Sequence, residues 1–196
     1  MKRQILKISV VAALVLGAAS AANAANNAIV NVTGSIVAAT CDVTNPGSNG
    51  AVDTGNHKKT DFVKPADNKF PGIEIEKYIV QSERHFTIGL ANCDADNKEA
   101  GKVKLYVTGN TLNQSEYLFN NVKSEQSGIV LTYPEGNEVK PVKSGSIISM
   151  IVPNDTAGKA DFNKSHVDFT AYIASNKDAP KEQLIDAPIT FSYAYN

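Results

Sequence analysis

Three histidines, His57, His85 and His166, and the stretch Asp94-Ala95-Asp96-Asn97 are the residues whose types could support metal or acid–base chemistry. A copper or zinc centre needs several imidazoles converging on one ion. These three are scattered instead, one in a polar loop and two at the starts of strands, and read as surface residues. An Asp-x-Asp calcium loop needs glycine at its sixth position and a bidentate Glu at its twelfth. The chain after Asp94 has neither, so the stretch reads as a solvated turn. No nucleophile elbow, zinc-protease helix or glycine-rich phosphate loop occurs. The expectation is a protein with no catalytic residue, no metal and no cofactor.

Two cysteines remain, Cys41 and Cys93, and the compartment decides how they are read. The chain opens with Lys2, Arg3 and Lys7, an apolar run from Ile8 to Ala19, and then Ala22-Asn23-Ala24, the three parts of a secretory signal peptide. That run is too short for a permanent membrane span. Residues 1–24 are therefore read as a cleaved signal, leaving 172 residues of one domain. The signal takes three basic residues with it, which moves the formal net charge from −1 to −4. Neither nucleic acid nor an anionic membrane surface is an evident partner for such a chain. In an oxidising compartment the two thiols pair, and closing the intervening loop contributes roughly 4 kcal/mol in the chain-entropy model. Without CxxC spacing or a nearby histidine they do not form a zinc site.

Any site must be carried by strands. Segment 85–92 alternates Phe86, Ile88 and Leu90 on one face and ends beside Cys93. Segment 102–108 repeats the pattern with Val103, Leu105 and Val107, and segment 166–173 with Val167, Phe169, Ala171 and Ile173. Further strands are expected over 129–133 and 146–152. The stretch 28–39 reads as extended chain with a break at Gly34. Segment 42–84 is long and polar, with turns at Asn45-Pro46-Gly47 and Ser48-Asn49-Gly50. It is expected to hold at most two short strands, near 51–54 and 73–80. Short strands separated by turn signals, with no helical period after the signal, predict an all-β sandwich.

The last eight residues, Ile-Thr-Phe-Ser-Tyr-Ala-Tyr-Asn, alternate to the end, so Ile189, Phe191, Tyr193 and Tyr195 share one face. No strand follows to cover that edge. An aromatic-rich edge strand is a template for pairing with another chain and must be covered, blunted or used.

Four features in order resemble the type 1 fimbrial family, subunits of chaperone/usher pili. They are Gly34-Ser35-Ile36-Val37-Ala38-Ala39-Thr40-Cys41, Phe86-Thr87-Ile88-Gly89-Leu90-Ala91-Asn92-Cys93, the 103–107 strand, and the Phe191–Asn196 ending with its penultimate Tyr195. The resemblance implies an incomplete immunoglobulin-like β-sandwich lacking its seventh strand, completed by a donor strand from another chain. It implies a donor segment over 25–33, followed by a pilin domain over 34–196. Counting back from Gly34 in steps of two places Val32, Val30, Ala28 and Asn26 on one face of that donor. It further implies an acceptor groove and chaperone contact formed by Ile189, Phe191, Tyr193, Tyr195 and Asn196, whose carboxylate the chaperone's basic residues would hold. The implied partners are a periplasmic chaperone, an outer-membrane usher and identical or related subunits. The implied destination is a surface fimbrium reached through the periplasm, serving cell adhesion. Two other functions stand beside this one: a subunit that contacts a host receptor or surface ligand through 42–84, and a small secreted sandwich enzyme, for which the residues offer no constellation.

Overall fold

The computed structural model describes residues 40–44 and 50–195, and among them every regular element longer than a single 3-10 turn is a β-strand. By internal contacts the chain separates into 1–36 and 37–196, and all described residues belong to the second unit. The extended chain expected over 28–39 lies outside the described residues.

The strongest periodic signals become the longest strands. β4 (Arg84–Ala91), β5 (Val103–Gly109), β7 (Ser127–Glu135), β10 (His166–Ser175) and β11 (Ile189–Tyr195) cover the five clearest alternating segments. In the first sheet, one edge of β10 pairs with β4 and then with β3 (Lys77–Ile79), while its other edge pairs with β7. β1 (Asp42–Thr44) adds to β4 at one margin, and β2 (Phe62–Val63) adds to β3. β6 (Leu118–Phe119) and β8 (Glu138–Pro141) both lie on β7. The second sheet has the order β11–β5–β9, with β9 at Ser146–Ser149. A single bridge from Ile151 to His166 joins the two sheets along one side.

The core lies between the sheets. Ile88, Leu90, Leu131, Val167, Phe169 and Ala171 from the first meet Val103, Leu105, Val107 and Ile148 from the second. On β5 the alternation is complete, with Val103, Leu105 and Val107 each at 0 % exposure and the side chains between them turned outward. Each such side chain contributes about 1.5–3 kcal/mol, which is why these positions determine the sheet face.

Several expectations for 42–84 are corrected. The segment carries three short strands, β1, β2 and β3, rather than two at most. Residues 51–54 form no ladder among the described residues. The reason is that two- and three-residue strands carry too little alternation to be read, and pairing with a neighbour decides them. The apolar residues of this segment build a second core on the outer face of the first sheet. Phe70, Ile75, Tyr78 and Ile73 cover Val130, Tyr172 and Ala174. Phe70, Tyr78 and Tyr172 meet edge to face at 5.3–5.9 Å. Lys69 donates to the Tyr172 hydroxyl at 2.8 Å and lies 4.5 Å from its ring centre. Burial, reinforced by Glu83, holds that phenol above its ordinary titration range. Buried on both faces, the second half of β10 loses its alternation, as expected of a doubly covered strand.

Two further strands had no counterpart in the reading of the sequence. β8 returns from β7 through Gly136-Asn137, where Gly136 takes φ +61°, the left-handed value that a two-residue hairpin turn demands at its first position. That glycine–asparagine pair was the available signal. β6 has only two residues and pairs because Leu118 and Phe119 are both fully buried.

Candidate strand-accepting groove

β11 and β1 lie at the same margin of the sandwich, one in each sheet, and each has a single ladder partner among the described residues. The register with β5 makes the consequence measurable. Phe191 pairs with Val107, Tyr193 with Leu105 and Tyr195 with Val103. The β5 member of each pair is fully buried, whereas its β11 partner is only half-buried, as is Ile189. All four β11 side chains pack against the main core. Among the described residues no strand pairs with their other flank, so within that set the strand carries apolar side chains and backbone groups without a ladder partner along one edge.

Beside this edge lies an apolar cavity of about 280 Å³. Its floor is Phe86, Ile129, Leu131 and Ala171, one wall is Ile189 and Phe191, and the opposite lip is Gly50, Val52 and Thr54. Val52 and Thr54 are alternate positions of the 51–54 stretch, which was expected as a strand and forms no ladder among the described residues. Phe191 meets Phe169 at 5.2 Å and Phe86 at 6.2 Å, so its ring joins the groove to the core. A polar cavity of about 370 Å³ adjoins it, sharing Val52 and Thr54, between residues 52–59 and 181–185.

The sequence missed the residue that fixes the far end of β11. The Asp94–Asn97 stretch is a turn, closed by the Asn97 N–H on the Asp94 carbonyl at 3.1 Å. Asn97 is not solvated, however, being only 5 % exposed. Its Nδ2 donates to the carbonyls of Asp94 at 3.0 Å and Thr40 at 3.3 Å, and lies 3.6 Å from the Cys41 sulfur. Its Oδ1 accepts the Tyr193 hydroxyl at 2.5 Å. The Tyr195 hydroxyl accepts the N–H groups of Lys98 and Glu99 at 3.4 and 3.3 Å. Burial, with Tyr195 adding to it, raises the Tyr193 pKa. Sequence signals for such a contact are weak, because its partners lie about a hundred positions away along the chain.

A disulfide joins Cys41 to Cys93 across 52 positions and ties β1 to the end of β4 at the same margin. Cys41→Ser is expected to lower stability by about 2–5 kcal/mol, the usual cost of losing such a bridge. Urea unfolding of the purified subunit measures it, and an unchanged midpoint counts against the bridge as a stabilising element.

The histidines stay apart. His57 Nε2 contacts the Thr54 carbonyl at 2.7 Å, His85 contacts Thr170 and Glu83, and His166 contacts the Lys164 carbonyl. Among the described residues no three His, Cys, Asp or Glu side chains gather to hold a metal. No helix among them is long and apolar enough to cross a membrane. Ala28, Val30, Val32 and Asn196 lie outside the described residues.

Residues 30–196 match a family model described as fimbrial protein. Among solved structures the chain is similar to the P pilus rod subunit PapA, at 20% identity and TM-score 0.50, covering 86% of this chain and 99% of that one. A chain from a chaperone–usher pilus structure aligns at 17% identity and TM-score 0.45, covering 88% and 97%. No curated protein sequence matches.

Proposed function

The chain belongs to the fimbrial protein family, whose members are structural subunits rather than enzymes and whose folds are incomplete immunoglobulin-like sandwiches, and from that premise we propose that it polymerises head to tail by strand donation. In this reading residues 1–24 are removed on export, and a periplasmic chaperone lends a strand to the β11 edge. An outer-membrane usher then passes the subunit to the growing fibre, where residues 25–33 of the next subunit replace the chaperone's strand, with Val30 and Val32 entering the groove and Ala28 beside them. This is β-strand addition, and because donor and acceptor are different surfaces the contact propagates as an open fibre. The fibre serves attachment at the cell surface.

The observation that carries the reading is the β5–β11 contrast: fully buried side chains on one strand, half-buried ones opposite them on the other. Covering four half-buried side chains contributes about 3–6 kcal/mol, half of the value for complete burial. That is a large share of a domain's usual stability of about 5–15 kcal/mol, so a lone subunit should be short-lived and an occupied one durable. Four apolar side chains of 42–84, Phe70, Ile73, Ile75 and Tyr78, are used by the outer core. Surface fibres run on a denaturing gel without boiling should give a ladder of subunit multiples that collapses to one band on boiling. A single band in both lanes removes strand donation.

A further inference from the structure

One wall of the groove is a strand of the second sheet, whereas the opposite lip belongs to no ladder among the described residues. Val52 and Thr54 line the cavity across from Ile189 and Phe191, on a stretch whose exposure alternates over 51–55 as a strand's does. Within the described residues the backbone of 51–54 pairs with no other backbone group. What ties this lip to the sandwich is a side chain. Arg84 Nε donates to the Asp53 carbonyl at 2.8 Å, across 31 positions of chain. Its Nη1 donates to the carbonyls of Gln81 and Glu83 at 3.1 and 2.7 Å, which seats the guanidinium on the turn before β4. Arg84 opens β4, and Phe86, two positions further along the same strand, is part of the groove floor. We propose that Arg84 is a positioning residue that fixes the lip opposite β11, so that an incoming strand is held along both of its edges, an inference that rests on the strand-donation reading above.

The other hydrogen bonds of this stretch are local. The Gly55 N–H donates to Asp53 Oδ1 at 2.8 Å, and His57 Nε2 meets the Thr54 carbonyl at 2.7 Å. They shape a turn around Gly55, whose φ of +87° lies in the left-handed region that favours glycine. A Cβ there would stand 3.3 Å from His57 Nε2 and 3.4 Å from Arg84 Nη2, so a side chain at this position pushes the turn off the guanidinium. The Arg84 bond has a charged donor, which makes it stronger than a neutral one. A lip already fixed to a rigid strand is preorganised, so an incoming strand binds without first having to order it.

The test uses purified subunit–peptide complexes, formed by displacing the chaperone with a synthetic peptide of residues 25–33. Two quantities are read: peptide release, and amide hydrogen exchange in fragments spanning 51–55 and 189–195. In the wild-type complex both fragments should exchange more slowly than an unstructured chain. Arg84→Ala should restore rapid exchange at 51–55 alone, keep 189–195 slow, and speed peptide release roughly tenfold. Gly55→Ala leaves the Arg84 bonds to Gln81 and Glu83 in place and should act in the same way, so it carries the test if Arg84→Ala fails to accumulate. Gly72 supplies the matched control, with φ +78° in the same 42–84 segment and nothing within 4 Å of an added Cβ. Gly72→Ala imposes similar backbone strain and should change neither readout. Free exchange at 51–55 in the wild-type complex overturns the proposal. So does equal acceleration of both fragments by Gly55→Ala, normal peptide release from it, or the same effects from Gly72→Ala. Failure of the wild-type subunit to retain the peptide overturns strand donation itself, which is a distinguishable result.

Discussion

Subunits carrying Val30→Glu or Val32→Glu are expected to accumulate as chaperone complexes and to yield no fibres. If residues 25–33 are donated as proposed, the substituted carboxylate enters a groove whose floor is Phe86, Ile129, Leu131 and Ala171, and no cationic side chain lines it among the described residues. Burying an unpaired charge costs several kcal/mol, and at 1.4 kcal/mol per tenfold this lowers subunit association by a thousandfold or more. On the strand-donation reading the same change leaves capture by the chaperone untouched, because there the chaperone's strand, and not residues 25–33, would occupy the groove. The measurement is a paired one: chaperone co-purification from the periplasm and fibre yield from the surface. If both fall together, residues 25–33 belong to the subunit's own sandwich and are not exported to a neighbour.

The complementary expectation concerns the acceptor. Phe191→Ala should abolish both chaperone capture and fibre assembly, and Ser192→Ala should do neither. Phe191 lines the groove and meets Phe86 edge to face and Phe169 at a tilt, so its loss opens a void and detaches the wall from the core. Truncating a buried Phe costs about 3–5 kcal/mol, and the half-exposed position here reduces that to about 2–3. Ser192 faces the other way, opposite Tyr106 on the outer surface of the second sheet. Normal chaperone capture or normal fibres from Phe191→Ala place the groove elsewhere.

Two aspects of this chain were legible in its residues before any fold was known. Strict alternation with strong apolar partners, as in Val103-Lys104-Leu105-Tyr106-Val107 and in Ile189 to Tyr195, leaves one choice of face. A strand buried on one side must repeat with period two, and a one-residue slip would expose every apolar side chain. The shared face of the last strand was visible for the same local reason, whereas the cysteine pair was read from the compartment that the expected signal implies. What the tertiary structure alone decided were features whose energy comes from partners distant in the chain. β6 and β2 exist because neighbouring strands pair with them. The second half of β10 is covered on its outer face because Phe70 and Tyr78 pack there, and Asn97 is buried because Thr40 and Tyr193 converge on it. A two-residue strand or a lone asparagine has no period to read, so its place is set by long-range contact and not by its own pattern.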